Sequence, residues 1–428
     1  MTREQNISQG LPSETKAKRG YKKTKLGWIP EEWEVQKLGN CIKGKPEYGI
    51  NAAAVEFKKE LPVYIRITDI SDDGKFLQEK KTSIDNTSSY KYFLQKNDIV
   101  FARTGSTTGK TYLYNSKDGE LVFAGFLIRV KPNDKKLSAK YLKLYSETHR
   151  YWHWVSIMST RSGQPGINGV EYAQLEIPLP PLPEQQKIAQ ILSTWDSAIE
   201  KTEQLISAKE KLKKGLMQQL LSGKRRFREF KRSKWRKVKI GNFGKVITGN
   251  TPSKAKQEYW GGNFSWATAH DLKKKYVINT TEKITEKGKS VSRMLPKGSV
   301  LVTCIASIGL NAIAGENLAT NQQINSIIVD EQFDNEFVYY IIEFNKNKLI
   351  AWAGITALPI LNKKSFEKLP IVIPENKNEQ VKIAQTLASC DKEIELLKQK
   401  LKILNQQKKG LMQQLLTGKK RVEIKNMI

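Results

Sequence analysis

Two stretches of this 428-residue chain carry apolar residues at alternating steps of four and three. In residues 379–422, Ile383, Leu387, Cys390, Ile394, Leu397, Leu401, Leu404, Leu411 and Leu415 form the a/d stripe of a coiled coil, with one polar break near Lys408. Residues 184–227 repeat the stripe at Ile188, Leu192, Trp195, Ile199, Thr202, Ile206, Lys209, Leu216 and Leu220, softened by Thr202 and Lys209. Pro183 before the first stretch, and Gly223 and Gly418 after the two, are start and stop signals. Roughly 37 residues at about 1.5 Å per residue make each helix a rod about 55 Å long. A globular region stands between the rods, so the chain can return along the first and pair with it antiparallel.

The remaining sequence changes period. VYIRITDI (63–70), KNDIVFARTG (96–105) and ELVFAGFLIRVKP (120–132) alternate or run apolar over strand lengths, the last as one longer strand after the turn at 115–119. GSVLVTCIAS (298–307) and NSIIVD (325–330) play the same parts later. Helical periodicity marks SAKYLKLYSETHRYWHWV (138–155) and NEFVYYIIEFNKNKLIAW (335–352). Each region is an α+β domain.

The chain is built twice. Residues 184–227 laid over 379–422 give 23 identities in 44 positions without a gap. More weakly, Trp33 matches Trp235, Ile67–Ile70 falls on Ala269–Leu272, LQKNDIVFARTGSTTG on LPKGSVLVTCIASIG, and PGIN (165–168) on PILN (359–362). The expected fold is α+β: two homologous mixed domains separated by two long antiparallel helices, with pseudo-twofold symmetry. The expected segments are a basic tail at 1–21, a first domain at 22–180, a helix at 181–228, a second domain at 229–375, and a second helix with its tail at 376–428.

Charge then selects the partner class. Lys and Arg number 73 against 43 acidic residues, a formal net charge of +30. Such an excess draws a chain to a polyanion, because each cation that neutralises a phosphate releases a counterion. No run approaches the roughly 20 apolar residues that span a bilayer, and the charged start lacks a signal core, so a soluble cytoplasmic protein without a membrane partner is expected. The segment 224–239 is the densest basic stretch, and Lys224, Arg225, Arg226, Arg228, Lys231 and Arg232 are its candidates for phosphate contact.

Catalytic signatures are missing. TGSTTGKTY (104–112) ends like a phosphate loop, but Gly105 and Gly109 are separated by three residues instead of four, and strand, turn and strand follow where a helix is required. Its counterpart TCIASIG has no lysine. No methyl-transfer tetrapeptide or methyl-donor loop is present, and Asp69 and Asp271 lack the downstream acid-x-Lys of a nuclease, which leaves them as turn acids. Cys41, Cys304, Cys390, His149, His153 and His270 have no metal-ligand spacing. No catalytic residue, metal or cofactor is expected in this chain.

With the duplicated EQxKIAQ…D…I and KKGLMQQLL[ST]GK segments in place, the chain resembles the specificity subunits of type I restriction-modification systems over nearly its whole length. The NDIVFARTGSTTGK and IPLPPLPEQQKIA segments are similar to that family's target recognition domains. The resemblance implies a non-catalytic protein that binds double-stranded DNA at a bipartite site. It also implies two methyltransferase subunits and restriction/translocase subunits as partners, with the methyl donor, ATP and Mg confined to them. A specificity subunit whose partner fuses methyltransferase and nuclease is a near alternative, and a coiled-coil interaction scaffold a more distant one.

Exposed polar residues at strand ends and in small-residue loops are the candidates to meet DNA. They are Arg66, Arg103, Ser106, Thr107, Lys110, Ser162 and Gln164 in the first domain, and Thr251, Ser253, Lys254, Thr268, His270, Ser307, Asn321 and Gln322 in the second. Arg suits guanine and Asn or Gln suits adenine in the major groove, while Arg and Lys also serve phosphate.

Overall fold

The computed structural model describes residues 19–160, 164–354 and 359–424. Most of the basic N-terminal tail, and Ser162, lie outside the described residues. Two compact units are present: one holds residues up to Lys201 together with those from Leu401 onward, the other Thr202–Lys400.

In the first unit, one sheet has the order Leu121–Phe123, Val63–Ile65, Thr82–Ser83, Val55–Glu56, and a second Glu47–Tyr48, Leu127–Val130, Ile99–Ala102, Thr111–Leu113. The segment 120–132 is therefore two strands, where its apolar run predicts one. Phe123 pairs in parallel with Ile65 in the first sheet, and Leu127 pairs antiparallel with Ala102 in the second. Ala124, Gly125 and Phe126 make the crossing, a change of sheet that hydrophobicity does not register because both strands are fully buried.

The second unit repeats this plan. A five-stranded sheet is ordered Gly244–Thr248, Ile324–Val329, Val300–Thr303, Asn311–Ala314, Tyr276–Val277. A four-stranded sheet is ordered Glu282–Ile284, Trp260–Ala267, Leu318–Thr320, Met294–Leu295. The parallel pair recurs, with Ala267 beside Thr320.

Each continuous helix expected near the end of a domain is two helices. Ala139–Tyr145 and His149–Met158 are capped by the Ser138 and Thr148 hydroxyls, which accept from Tyr141 N and Tyr151 N. Asn335–Phe344 is capped by Asp334, and Lys346–Trp352 follows. Thr148 satisfies amides that a continuous helix would bond internally, which explains the break.

The two long helices are Leu182–Leu220 and Lys377–Leu415, each 39 residues. Both end on a glycine with positive φ, Gly223 at 73° and Gly418 at 72°. In the first unit Ile188, Ala189 and Leu192 share one core with Met412, Leu415 and Leu416. In the second unit Leu220 and Leu221 share one with Ile383, Ala384 and Leu387. The start of one helix thus meets the end of the other in both units, the antiparallel pairing expected. Ile199, Thr202, Ile206 and Ile394 are buried seam residues, while Trp195, Leu216, Leu397, Leu401, Leu404 and Leu411 are half-buried.

The polar break in the seam is a built layer. Lys408 donates to Asp196 at 2.6 Å and approaches Glu147 at 3.4 Å; in the second unit Lys213 meets Asp391 at 2.5 Å. These are the same two repeat positions with helix roles exchanged. Lys209, which interrupts the stripe, meets Glu393 at 2.7 Å.

Candidate nucleic-acid interface

Each domain carries a rim where the parallel strand pair ends beside the loop following the central buried strand. In the first unit, Arg66 follows Val63–Ile65, Ala124 N donates to Ile65 O at 3.0 Å, and Arg103 N donates to Phe126 O at 3.0 Å. In the second, Asn321 N donates to Ala267 O at 3.0 Å and Cys304 N to Gln323 O at 2.8 Å. The PGIN and PILN segments stitch both rims the same way. Gly105 N donates to Pro165 O and Ile167 N to Arg103 O; Ala306 N donates to Pro359 O and Leu361 N to Cys304 O.

TGSTTG is a strand-end loop on this rim. It opens with the short 3-10 turn Gly105–Thr107 and leads into strand Thr111–Leu113. Gly109 has φ 89°, and a Cβ there would stand 2.6 Å from Val155, so only glycine fits beneath the helix His149–Met158. Ser106 and Gln164 are exposed and Thr107 is half-buried.

Ion pairing sorts the cations of the first rim. Arg66 forks onto Asp69, with Nε and Nη2 each 2.9 Å from a carboxylate oxygen, and this bonding raises its pKa. Lys110 is mostly buried and pairs with Asp72 at 2.9 Å, so its expected role as an exposed contact is corrected to a tie within the fold. Arg103 instead lies over the Tyr48 ring at 5.0 Å. Tyr48 was not singled out by its sequence; its place beside Arg103 arises across the intervening strand Leu127–Val130.

The second rim is chemically different. Cys304 stands where Arg103 stands, buried, its thiol pushed up to about 11 chiefly by burial. Thr251 donates to the exposed Gln322 at 2.5 Å. Asn321 is buried, its carboxamide spent on Gln323 N and Gln323 Oε1, both at 3.1 Å; its expected exposure is corrected, because it shapes the turn that presents Gln322. Thr268 accepts from His270 N and donates to Asp271, and the exposed His270 ring stands 3.0 Å from Lys273 Nζ. Ser307 is exposed and its carbonyl accepts from the Thr303 hydroxyl. Lys254 lies 3.7 Å over the Trp260 ring while pairing with Glu282 at 2.5 Å, and Ser253 O accepts from Trp260 Nε1. This places a cation over an aromatic ring in the second domain. Trp260 was missed because it is paired with Lys254 only through folding.

Asp69 and Asp271 are turn acids. Asp69 accepts from Arg66 N, and Asp271 from Thr268 N and Thr281 N. Burial raises the Asp271 pKa, but these bonds outweigh it and hold the carboxyl below its ordinary value.

In the basic linker, Lys224, Arg225, Arg228, Lys231 and Arg232 are exposed, whereas Arg226 is not available to phosphate. Its Nε and Nη2 meet the buried Glu379 carboxylate at 2.8 and 2.6 Å, and Nη1 donates to Ser233 O at 2.6 Å. Trp235 Nε1 donates to the same carboxylate at 3.3 Å. The first unit has the same triad in Arg421, Glu184 and Trp33. The reassignment follows from geometry: a forked guanidinium on a buried carboxylate leaves no free fork for phosphate.

Among the described residues no three His, Cys, Asp or Glu side chains could hold a metal, and no helix is long and apolar enough to cross a membrane.

The profile of the type I restriction modification DNA specificity domain matches residues 30–210 and 232–406. Over 423 residues the chain is 29% identical to a Methanocaldococcus jannaschii protein provisionally named the type I restriction enzyme MjaX specificity subunit, covering 94% of this chain and 97% of that protein. The MjaVIII specificity subunit of the same organism is 26% identical over 424 residues, covering 92% and 94%. The crystal structure of the type I restriction-modification S subunit from M. genitalium has the same fold, with a TM-score of 0.58 at 16% identity, covering 92% of this chain and 97% of that one. With the domain matched twice across most of its length, the chain belongs to the type I restriction-modification DNA specificity family and is a specificity subunit, the DNA-recognition component of such a system.

Proposed function

We propose that this chain reads a bipartite site in double-stranded DNA, one half-site per domain, and does no chemistry of its own. It works in the cytoplasm with two methyltransferase subunits, joined by restriction/translocase subunits when the site is cut. The methyl donor, ATP and Mg are needed only by those partners. The observation that carries this reading is the duplicated rim. One backbone frame is kept in both domains while its side chains differ, Arg103 against Cys304 and Arg66 against Thr268. A shared frame with exchanged side chains is what reading two different short sequences requires. The pairing of both long helices in each unit supports their role in fixing the distance between half-sites, since B-DNA presents equivalent faces about every 34 Å.

Mapping methylated adenines in cells with and without this chain, its partner methyltransferase supplied, tests the reading. A split motif methylated only in its presence is expected. The purified chain alone should bind DNA with steep salt dependence and show neither ATP turnover nor methyl transfer. A contiguous motif, or turnover by the chain alone, would sink the proposal.

A further inference from the structure

We propose that Arg103 and Tyr48 form one preorganised reader that makes guanine obligatory at a single position of the first domain's half-site, with Tyr48 as a positioning residue. The inference rests on the DNA-recognition reading above and names where its specificity resides.

Arg103 is set apart from its neighbours by what its side chain is free to do. Arg66 is committed to Asp69 and Lys110 to Asp72, so neither cation is unpaired. Among the described residues the Arg103 guanidinium is paired with no carboxylate and lies over the Tyr48 ring, 5.0 Å from its centroid. A ring attracts a guanidinium without using its N–H donors for a hydrogen bond, so the fork is kept for two parallel bonds, the geometry that matches guanine O6 and N7.

Both residues are held. The Arg103 amide donates to Phe126 O at 3.0 Å and its carbonyl accepts from Ile167 N at 2.8 Å, which fixes the Cα from both sides. Tyr48 pairs directly with Ile128 on the adjacent strand, and its hydroxyl accepts from Gly169 N at 3.0 Å. A side chain with this much rotamer freedom loses little on binding when a ring already holds it in place. Among the described residues the second domain has no equivalent pair. Cys304 occupies the matching position as a buried thiol. The requirement for guanine therefore applies to one half-site alone.

The test uses the full chain assembled with its methyltransferase partner, and competition binding against the mapped site with every base pair substituted in turn. Wild type should discriminate against loss of one G·C pair in one half-site. Arg103→Ala should cut that discrimination by roughly 5- to 150-fold while leaving the other half-site unchanged, and Arg103→Lys should fail to restore it. Tyr48→Leu should weaken the same position by roughly two- to fivefold, and Tyr48→Phe, which keeps the ring but loses the bond from Gly169 N, should weaken it less. The second half-site reports folding within each variant. Equal weakening on all sequences with a shallower salt slope would make Arg103 a phosphate contact and overturn the inference. So would Tyr48→Leu changing both half-sites alike, or leaving the guanine position untouched. Absence of any sequence preference in the wild-type complex would instead defeat the DNA-recognition reading itself.

Discussion

Arg421 and Glu184, 237 residues apart, close the first unit: Nη2 donates to Oε2 at 2.8 Å and Nε to Oε1 at 3.2 Å, beside Trp33 Nε1 at 3.0 Å on the same buried carboxylate. Arg226 and Glu379 do the same for the second unit with Trp235. In each, the residue just past the end of one long helix holds the glutamate at the start of the other. Arg421→Ala strands a carboxylate that is fully buried, and should cost about 3 kcal/mol, at the low end for such pairs because the arginine is itself a third exposed. Arg226 is less exposed, so Arg226→Ala should cost more. Urea unfolding of the two variants checks the order; equal and negligible losses would remove the latch from the fold's stability.

The remaining linker cations should behave oppositely. Replacing Lys224, Arg225, Arg228, Lys231 and Arg232 by Ala together is expected to leave unfolding unchanged and to weaken DNA binding by a similar factor on every sequence. The slope of log affinity against log salt should fall by about one for each residue that contacts phosphate. An unchanged slope assigns the segment to solvent.

The two C-terminal glycines of the long helices separate a conformational cost from a steric one. A side chain at Gly223 would meet Trp235 at an ordinary 3.4 Å, so Gly223→Ala costs about 1 kcal/mol for the left-handed backbone. At Gly418 the added carbon would lie 2.4 Å from Pro30, so Gly418→Ala should cost about 2 to 3 kcal/mol by adding a clash to that strain. Melting temperatures of the two variants would show whether the ranking is right.

Lys408 gives the seam a pH dependence. Burial alone would lower its pKa, but Glu147 and Asp196 outweigh it and the net shift is upward. Its stabilisation is therefore complete below the unfolded value of about 10.4 and is lost as pH rises through the higher folded value. Lys408→Met should cost about 1 to 2 kcal/mol at neutral pH, modest because Asp196 is half exposed, and the gap from wild type should narrow as pH rises through the raised folded value. Chemical denaturation at both pH values measures it.

Lengthening both helices between Ile199 and Leu212 and at the repeat-matched positions should alter the spacer of the methylated motif while keeping both half-sites. Altered half-sites with an unaltered spacer would remove the helices' role in spacing.

Much of this protein is determined by its sequence alone. The period of apolar residues gives two long helices, and a gap-free repeat gives two copies of one architecture. The one-residue-short TGSTTGK dismisses a nucleotide loop on covalent grounds, since a phosphate cradle needs a fixed number of amides. These features are local or depend on comparing the chain with itself. Tertiary structure decided what depends on residues distant in sequence. Arg226 reads as one cation among many until Glu379 is found beneath it, and Lys110 does until Asp72 is. Asn321 reads as exposed until its carboxamide turns inward, and 120–132 reads as one strand because burial on both faces looks the same whichever sheet a residue joins. Free and committed charges are identical in sequence. Only the geometry of partners brought together by folding tells Arg103, held over the Tyr48 ring, from Arg66, already spent on Asp69.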